Sequence, residues 1–228
     1  MTATTRLNKF LALHLGISRR EADIAIEKGR VTINNQPAQM GHPVHDGDTV
    51  SIDGKPVSIA TEFIYVALHK PVNYVCSRRA QGDNDTVYSL LDEEYQDLKL
   101  VGRLDKNSSG IILLTNDGDF AFRMTHPKFK KTKVYEAHLK TDLQPLHRQM
   151  ISDYGVILDD GKSKFELERL DEGSDKAWRI TMSEGRNRQI RRTFSALGYT
   201  VSALHRTHFG PYALGNLPEG QTMIVTSL

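Results

Sequence analysis

The chain of 228 residues has one cysteine, Cys76. A lone thiol closes no intramolecular disulfide and builds no cysteine-based metal cluster, which fits a reducing compartment. Set in the apolar stretch NYVCS (73–77), it reads as a small core residue rather than a nucleophile. Long hydrophobic runs are missing too. None nears the roughly 18 residues that span a bilayer, and the opening MTATTRLNKFLALHLG lacks the small-residue cleavage site of a secretory signal. The expectation is a cytoplasmic protein with no membrane partner. Nine histidines are present, yet there is no HExxH and no Cys/His cluster, and GxSxG, Walker and GxGxxG motifs are absent. Zinc hydrolysis, nucleophile triads, nucleotide hydrolysis and dinucleotide binding therefore have no support. The two imidazoles of HRTH (205–208) would face opposite sides of a strand, a poor arrangement for one metal.

What is there suits a globular protein. A hydrophobic content of 39% allows a packed core, and the length allows one large domain or a medium one with an appendage. The formal charge of +2 says little, but its distribution says more. Arg6, Lys9, Arg19, Arg20, Lys28 and Arg30 face only Glu21, Asp23 and Glu27 in the first thirty residues. KFKKTK (128–133) holds four lysines and RNRQIRR (186–192) four arginines with no acid. Any one cluster would pass as solvated surface; three together suggest a polyanion partner.

The first sixty residues read as ααβ. Leu7, Phe10, Leu11 and Leu15 have helical spacing with Gly16 as the stop. SRRE (18–21) makes a capping box, Ile17 staples against Ala22, and Gly29 ends the second helix. Short strands follow, with Asn34-Asn35 and Asp53-Gly54 as turns. The segment 58–63 has no strong period and marks the boundary, giving units 1–59 and 60–228. In the second unit IYVALHKP, GIILLT, VYEAHLK, WRITM and TVSALHRTHFG read as strands, with GIILLT buried on both faces and Tyr135, Ala137 and Leu139 on one buried face. Asp119 is placed to cap a helix that Pro127 closes, and RQIRRTFSALG forms another. The class is α+β.

Two places invite chemistry. VGRLDKNSSG (101–110) sets Asp105 between Arg103 and Lys106, with glycines that allow close approach of a substrate. By itself it reads better as an ordinary Asp turn. On the arginine helix Ile190, Phe194 and Leu197 mark the core side, Arg188 and Arg192 lie nearly opposite, and Arg191 sits on the flank. Arg191 could pair with a partly buried carboxylate, or simply snorkel to solvent.

VGRLDKNSSGIILLTNDGDF (101–120), KTKVYEAHL (131–139) and EGRNRQIRRTFSALGYTVSALHRTHFG (184–210) closely resemble three segments, in the same order, of the pseudouridine synthases that modify ribosomal RNA. Residues 6–59 resemble the small S-four RNA-binding domain of that branch. The resemblance implies an S-four-like domain at 1–59 and, at 60–228, a catalytic domain with a mixed, mostly antiparallel sheet. It also implies isomerisation of a uridine in ribosomal RNA without cofactor or metal, by a monomer acting on RNA or an assembling subunit. The catalytic residues it implies are Asp105, Tyr135 and Arg191. RNA-binding residues would be Arg6, Lys9, Arg19, Arg20, Lys28, Arg30, Arg103, Lys106, Lys130, Lys131, Lys133, Arg186, Arg188 and Arg192. NSSG (107–110) and Gln221 depart from the commoner family pattern. The stretch 206–221 looks more like the large-subunit members, which implies a 23S rRNA target. A non-catalytic RNA-binding factor for ribosome assembly is the alternative; it would have been favoured by loss of Asp105, Tyr135 or Arg191, and all three are present.

Overall fold

The computed structural model describes residues 4–58, 62–79 and 82–227, in two compact units. The first comprises the N-terminal residues through Ile64 together with Asn116–Gly118; the boundary expected at 59/60 falls outside the described residues.

In the first unit β1 (Thr5–Arg6) leads into α1 (Leu7–His14) and α2 (Arg19–Glu27), followed by β2 (Val31–Ile33), β3 (Gln36–Pro37), β4 (Pro43–Val44), β5 (Val50–Ile52) and β6 (Lys55–Pro56). The capping box at Ser18 and Glu21 forms with both hydrogen bonds, satisfying two otherwise orphaned donors of α2. Asn34, Asn35, Asp53 and Gly54 all have positive φ, as tight hairpin turns require. The four strands pair antiparallel in the order β3-β2-β5-β6, while β1 pairs β4. Leu7, Leu11, Ala22, Ala25, Ile26 and Val31 form a core into which Ile17 packs.

The second unit is built on one sheet. Its elements are β7 (Tyr65–Lys70), β8 (Lys99–Val101), β9 (Ser109–Thr115), α3 (Gly118–Thr125), β10 (Lys133–Leu139), α4 (Pro145–Gln149), β11 (Val156–Leu158), β12 (Gly161–Ser163), β13 (Glu166–Arg169), β14 (Ala177–Met182), α5 (Gln189–Ala196), β15 (Val201–Phe209), β16 (Tyr212–Ala213) and β17 (Thr222–Ile224). The strand order is β13-β14-β10-β15-β9-β7-β17, with β8 beside β9 and β16 beside β15. Every pairing is antiparallel except β9 with β15, so the sheet is mixed and mostly antiparallel, as expected. One face packs Tyr135, Ala137, Trp178, Ile180 and, from α5, Ile190 and Phe194; the other packs Ile111, Leu113, Phe120, Met124 and Phe209. Strand β9 is buried on both faces, as its unbroken apolar run predicts.

Three differences from the sequence reading stand out. Helix α3 begins at Gly118, so Asp119 lies in its first turn and does not cap it. Leu197 caps α5 and Arg188 precedes it in the left-handed conformation, outside the helical wheel on which it was placed. The hairpin β11–β12, turning at Asp159-Asp160, was not foreseen.

The parallel crossing of β9 and β15 needs Gly110. Its φ is +110°, and a Cβ there would sit 2.2 Å from the carbonyl oxygen and 2.5 Å from the nitrogen of Arg206. Gly110→Ala is expected to destabilise the protein by about 3 kcal/mol or more through overpacking and backbone strain. Gly118→Ala, where a Cβ meets nothing within 4 Å, is expected to be mild. Urea denaturation of both variants checks this; equal stabilities would refute the steric account.

Candidate active site

Asp105 lies in the loop between β8 and β9, on the wall of a cleft of about 790 Å³. The loop is held at four successive carbonyls, Asp105 to Ser108, each of which accepts a hydrogen bond. The Ser108 amide donates to Asp105 O (3.1 Å) and the Asn73 amide to Lys106 O (2.8 Å). Arg191 Nη2 donates to Asn107 O (2.7 Å) and Lys70 Nζ to Ser108 O (2.7 Å). Lys70, fully buried at the end of β7, also donates to Pro71 O (2.7 Å) and, at 3.4 Å, to Lys106 O. Burial pushes its ammonium down to about 8, against the opposing pull of Cys76, Asp105 and Glu219. Cys76 accepts the Leu104 amide (3.3 Å), and burial pushes its thiol up, which fits a packing role.

With the backbone fixed, the carboxylate is 30% exposed and faces the cleft. Its ion-pair partner among the described residues is Arg188, Nη1 to Oδ2 at 3.5 Å. This corrects the expected pairing with Arg191. Arg191 Nη1 donates to Val201 O (2.7 Å) and Nη2 to the Asp105 loop, so it joins α5, β15 and that loop through backbone. Burial lowers its pKa, Arg188 adds to the shift, and Asp105 opposes it. Arg103 and Lys106, expected to frame the carboxylate, are both exposed. Arg103 lines the cleft, and Lys106 turns away to Asn84.

Arg188 reaches Asp105 because its own backbone is left-handed, φ 45° and ψ 31°. A non-glycine residue there costs roughly 1–2 kcal/mol and must be held by its surroundings. Gln189 supplies the hold: its buried side chain accepts the Arg186 amide and donates to Ser163 Oγ (3.1 Å) and Glu184 Oε2 (2.9 Å).

Tyr135, on β10, is buried in the core yet lines the same cleft. Next to it on β15 is Arg206, whose guanidinium lies 4.7 Å from the Phe209 ring centroid and 6.0 Å from that of Tyr135. Arg206 Nε donates to Ile111 O (2.9 Å), while its buried Nη2 has no hydrogen-bond partner among the described residues. A fully buried guanidinium donor facing a cleft is free to serve a bound polar group. Lys133 Nζ donates to Lys131 O (3.1 Å) and lies over Phe209. Burial, with Arg206 adding, pushes it down to about 8.

The remaining basic residues divide sharply. Arg186 donates to Asp160, Gly161 and Lys162, and Arg192 pairs with Asp159 and Asp160; both are committed to the acidic β11–β12 turn, although Arg186 still lines the cleft. Arg30 is paired with Asp53. Lys130 and Lys131 line the cleft. Arg6, Arg19, Arg20 and Lys28 are exposed on the first unit, and Lys9 is half-buried there. Sequence reasoning missed Lys70, Gln189 and Arg206. Two had a signal: Lys70 closes an apolar strand just before Pro71, and Arg206 shares the inward phase of β15 with Leu204.

Residues 64–196 match the family described as RNA pseudouridylate synthase, and residues 5–50 match the S4 domain. "Ribosomal small subunit pseudouridine synthase A" of Pasteurella multocida is 33% identical over 95% of this chain and 94% of its own. "Ribosomal large subunit pseudouridine synthase B" of Bacillus subtilis is 33% identical over 97% and 92%. A solved structure titled "Crystal structure of pseudouridylate synthase" superposes with a TM-score of 0.69 at 32% identity, covering 97% of this chain and 96% of that one.

Lys70 gives a pH prediction. Below about pH 8 it is charged both folded and unfolded; between about 8 and 10.5 the folded protein has released the proton while the unfolded chain keeps it. The unfolded state then binds more protons, so stability rises with pH across that window, by up to about 1.4 kcal/mol per unit. Lys133, lowered in the same way, adds a like rise, so Lys70→Met should show a shallower rise than wild type. Urea midpoints of wild type and variant from pH 7.5 to 10 test it, and parallel curves would count against it.

Proposed function

The chain belongs to the RNA pseudouridylate synthase family, and from that premise we propose that it converts a uridine of ribosomal RNA to pseudouridine, with Asp105 as the reacting carboxylate. The observation that carries the assignment is the loop of Asp105. Its backbone is fixed at four successive carbonyls, while the carboxylate stays open to a cleft that Tyr135 also lines. The ribosomal names of the relatives at 33% identity support the substrate class.

The reaction is an isomerisation: the bond from ribose C1′ to uracil N1 breaks, a bond from C1′ to C5 forms, the C5 proton is lost and N1 takes up a proton. A base within folded RNA must first leave its stack, at a cost of a few kcal/mol. Arg103, Lys130, Lys131 and Arg188 at the cleft wall can offset this through phosphate contacts. Asp105 acts at the anomeric centre, by attack or by assisting departure of the base. Arg188 keeps a positive charge beside the carboxylate. Arg191 is a positioning residue, acting through Asn107 O. Tyr135 stacks on the uracil and can exchange a proton with it. The buried, unpaired Nη2 of Arg206 is suited to a carbonyl oxygen of the turning base.

Asp105→Asn should abolish release of tritium from C5-labelled uridine in RNA and leave RNA affinity within about twofold. Arg191→Lys, losing one of its two backbone tethers, should lower kcat by roughly tenfold or more, since misplacing a catalytic group by an ångström costs up to about a hundredfold. Arg192→Lys should stay near wild type, because its partners, two carboxylates of the β11–β12 turn and the Asn187 carbonyl, lie outside the Asp105 loop. Substantial turnover by the Asn variant would remove Asp105 from the chemistry.

The target subunit is proposed from the resemblance of the short stretch 206–221 to the large-subunit members, relatives named for either subunit being equally similar overall: an unpaired uridine of 23S rRNA, where flipping costs least. Pseudouridine mapping in cells lacking the protein should show one large-subunit site missing. A site missing instead from 16S rRNA would overturn the target and leave the chemistry intact.

A further inference from the structure

The cleft wall continues onto a patch that the chemistry at Asp105 does not use. Helix α3 ends at Thr125, and a single 3-10 turn, Pro127–Phe129, follows. It closes at Lys130 in the left-handed conformation, φ 45°. This brings three rings together. Phe122 lies 4.7 Å from His126 and edge-on to Phe129 at 5.6 Å, and His126 lies 6.3 Å from Phe129. Both phenylalanines stay in solvent, Phe122 45% exposed and Phe129 38%. Lys128 Nζ sits over both, 5.1 and 4.7 Å from their centroids. His126, Pro127, Lys130 and Lys131 line the cleft together with Asp105 and Tyr135, so patch and cleft are continuous.

Scattered surface phenylalanines need no explanation, but two adjoining ones capped by a lysine do. The core of a protein–protein interface is depleted of lysine, whereas Lys128, Lys130 and Lys131 border these rings. Aromatic faces set among cations suit single-stranded nucleic acid, whose bases stack while phosphates meet the lysines. An exposed cation–π contact is weaker than the stacking of a base, so a base can displace Lys128 from the rings and leave its ammonium beside a phosphate. There is also a reason for such a base to be present. Extruding one nucleotide breaks the stacking of its neighbours, and an aromatic platform beside the cleft replaces what they lose.

We propose that Phe122, His126 and Phe129 form a stacking site for an unpaired RNA base flanking the uridine that enters the cleft, with Lys128 and Lys130 holding the adjoining phosphates. The word "flanking" rests on the Asp105 reading; stacking of a single-stranded base does not. The test uses the full chain with a Phe122→Leu/Phe129→Leu double variant, which keeps apolar volume and loses the rings, and a Phe122→Tyr/Phe129→Tyr pair, which restores them. Binding is read by anisotropy with a short fluorescein-labelled single-stranded RNA of mixed sequence and with a blunt RNA duplex. The leucine pair should weaken single-strand binding about tenfold or more, leave the duplex within twofold and leave the salt slope unchanged, and the tyrosine pair should bind as wild type. Phe129→Trp adds a direct readout, since Trp178 is fully buried: its fluorescence should be quenched by the single strand. Unchanged single-strand affinity in the leucine pair would overturn the site and leave the patch to a protein partner. An equal loss on single strand and duplex would overturn it as well. Tritium release is measured separately. If wild type releases none while the leucine pair still loses single-strand affinity, the stacking site stands and the isomerase reading falls.

Discussion

The rest of the candidate site depends on two cations, the buried Lys70 and the half-buried Arg191, that hold a loop by its backbone. Lys70 and Arg191 come from opposite directions in the sequence and reach the carbonyls of Ser108 and Asn107, while amides from within the loop and from Asn73 take those of Asp105 and Lys106. A buried carbonyl without a partner is costly, and a hydrogen bond from a charged donor is stronger than a neutral one. The result is a backbone with little freedom next to a side chain that keeps its carboxylate in the cleft. The clamp itself is not cheap. Burial pushes Lys70 down to about 8, so at neutral pH the fold carries a desolvated charge that backbone carbonyls and the more distant Asp105 and Glu219 compensate in part.

Cations elsewhere fall into two populations. Arg186 and Arg192 are tied to the acidic turn of the β11–β12 hairpin, and Arg191 to backbone. Lys130, Lys131, Arg103 and Arg188 face the cleft. A count of basic residues along RNRQIRR gives all four arginines the same meaning. The acids that separate them, Asp159 and Asp160, lie some thirty positions upstream. Electrostatic attraction of a polyanion therefore draws on fewer of these four arginines than the sequence displays, with Arg186 and Arg192 held by acids and Arg191 by backbone.

Much of this was legible in the chain because local rules governed it. The capping box at Ser18, the positive-φ turn pairs Asn34-Asn35 and Asp53-Gly54, the doubly buried β9 and the inward phase of Tyr135 follow from spacing and turn chemistry. What failed was the phase of Arg188. A helical wheel presumes that the residue is in the helix, and a left-handed arginine just before α5 breaks that presumption in a way no pattern announces. The reach of Arg191 was hidden for a different reason: its acceptors, Val201 O and Asn107 O, are backbone atoms, and backbone acceptors leave no mark in side-chain patterns.

Arg188 is not the only cleft-lining cation with a left-handed backbone; Lys130 shares the conformation, with φ 45° in both. Each gives up roughly 1–2 kcal/mol that an ordinary turn residue such as glycine would not. Such strain persists only where the surroundings impose it: the Gln189 network on one side, and the 3-10 turn closed by Lys130 N to Pro127 O on the other. Glycine would relieve both positions and lose both charges. That the chain keeps a cation at each, rather than the residue its backbone prefers, argues that the position of these charges is what the two loops are built to fix. A left-handed turn swings the side chain away from where a helix or strand would send it. In Arg188 that direction ends at the Asp105 carboxylate, which ties the strain of one loop to the chemistry proposed for the other.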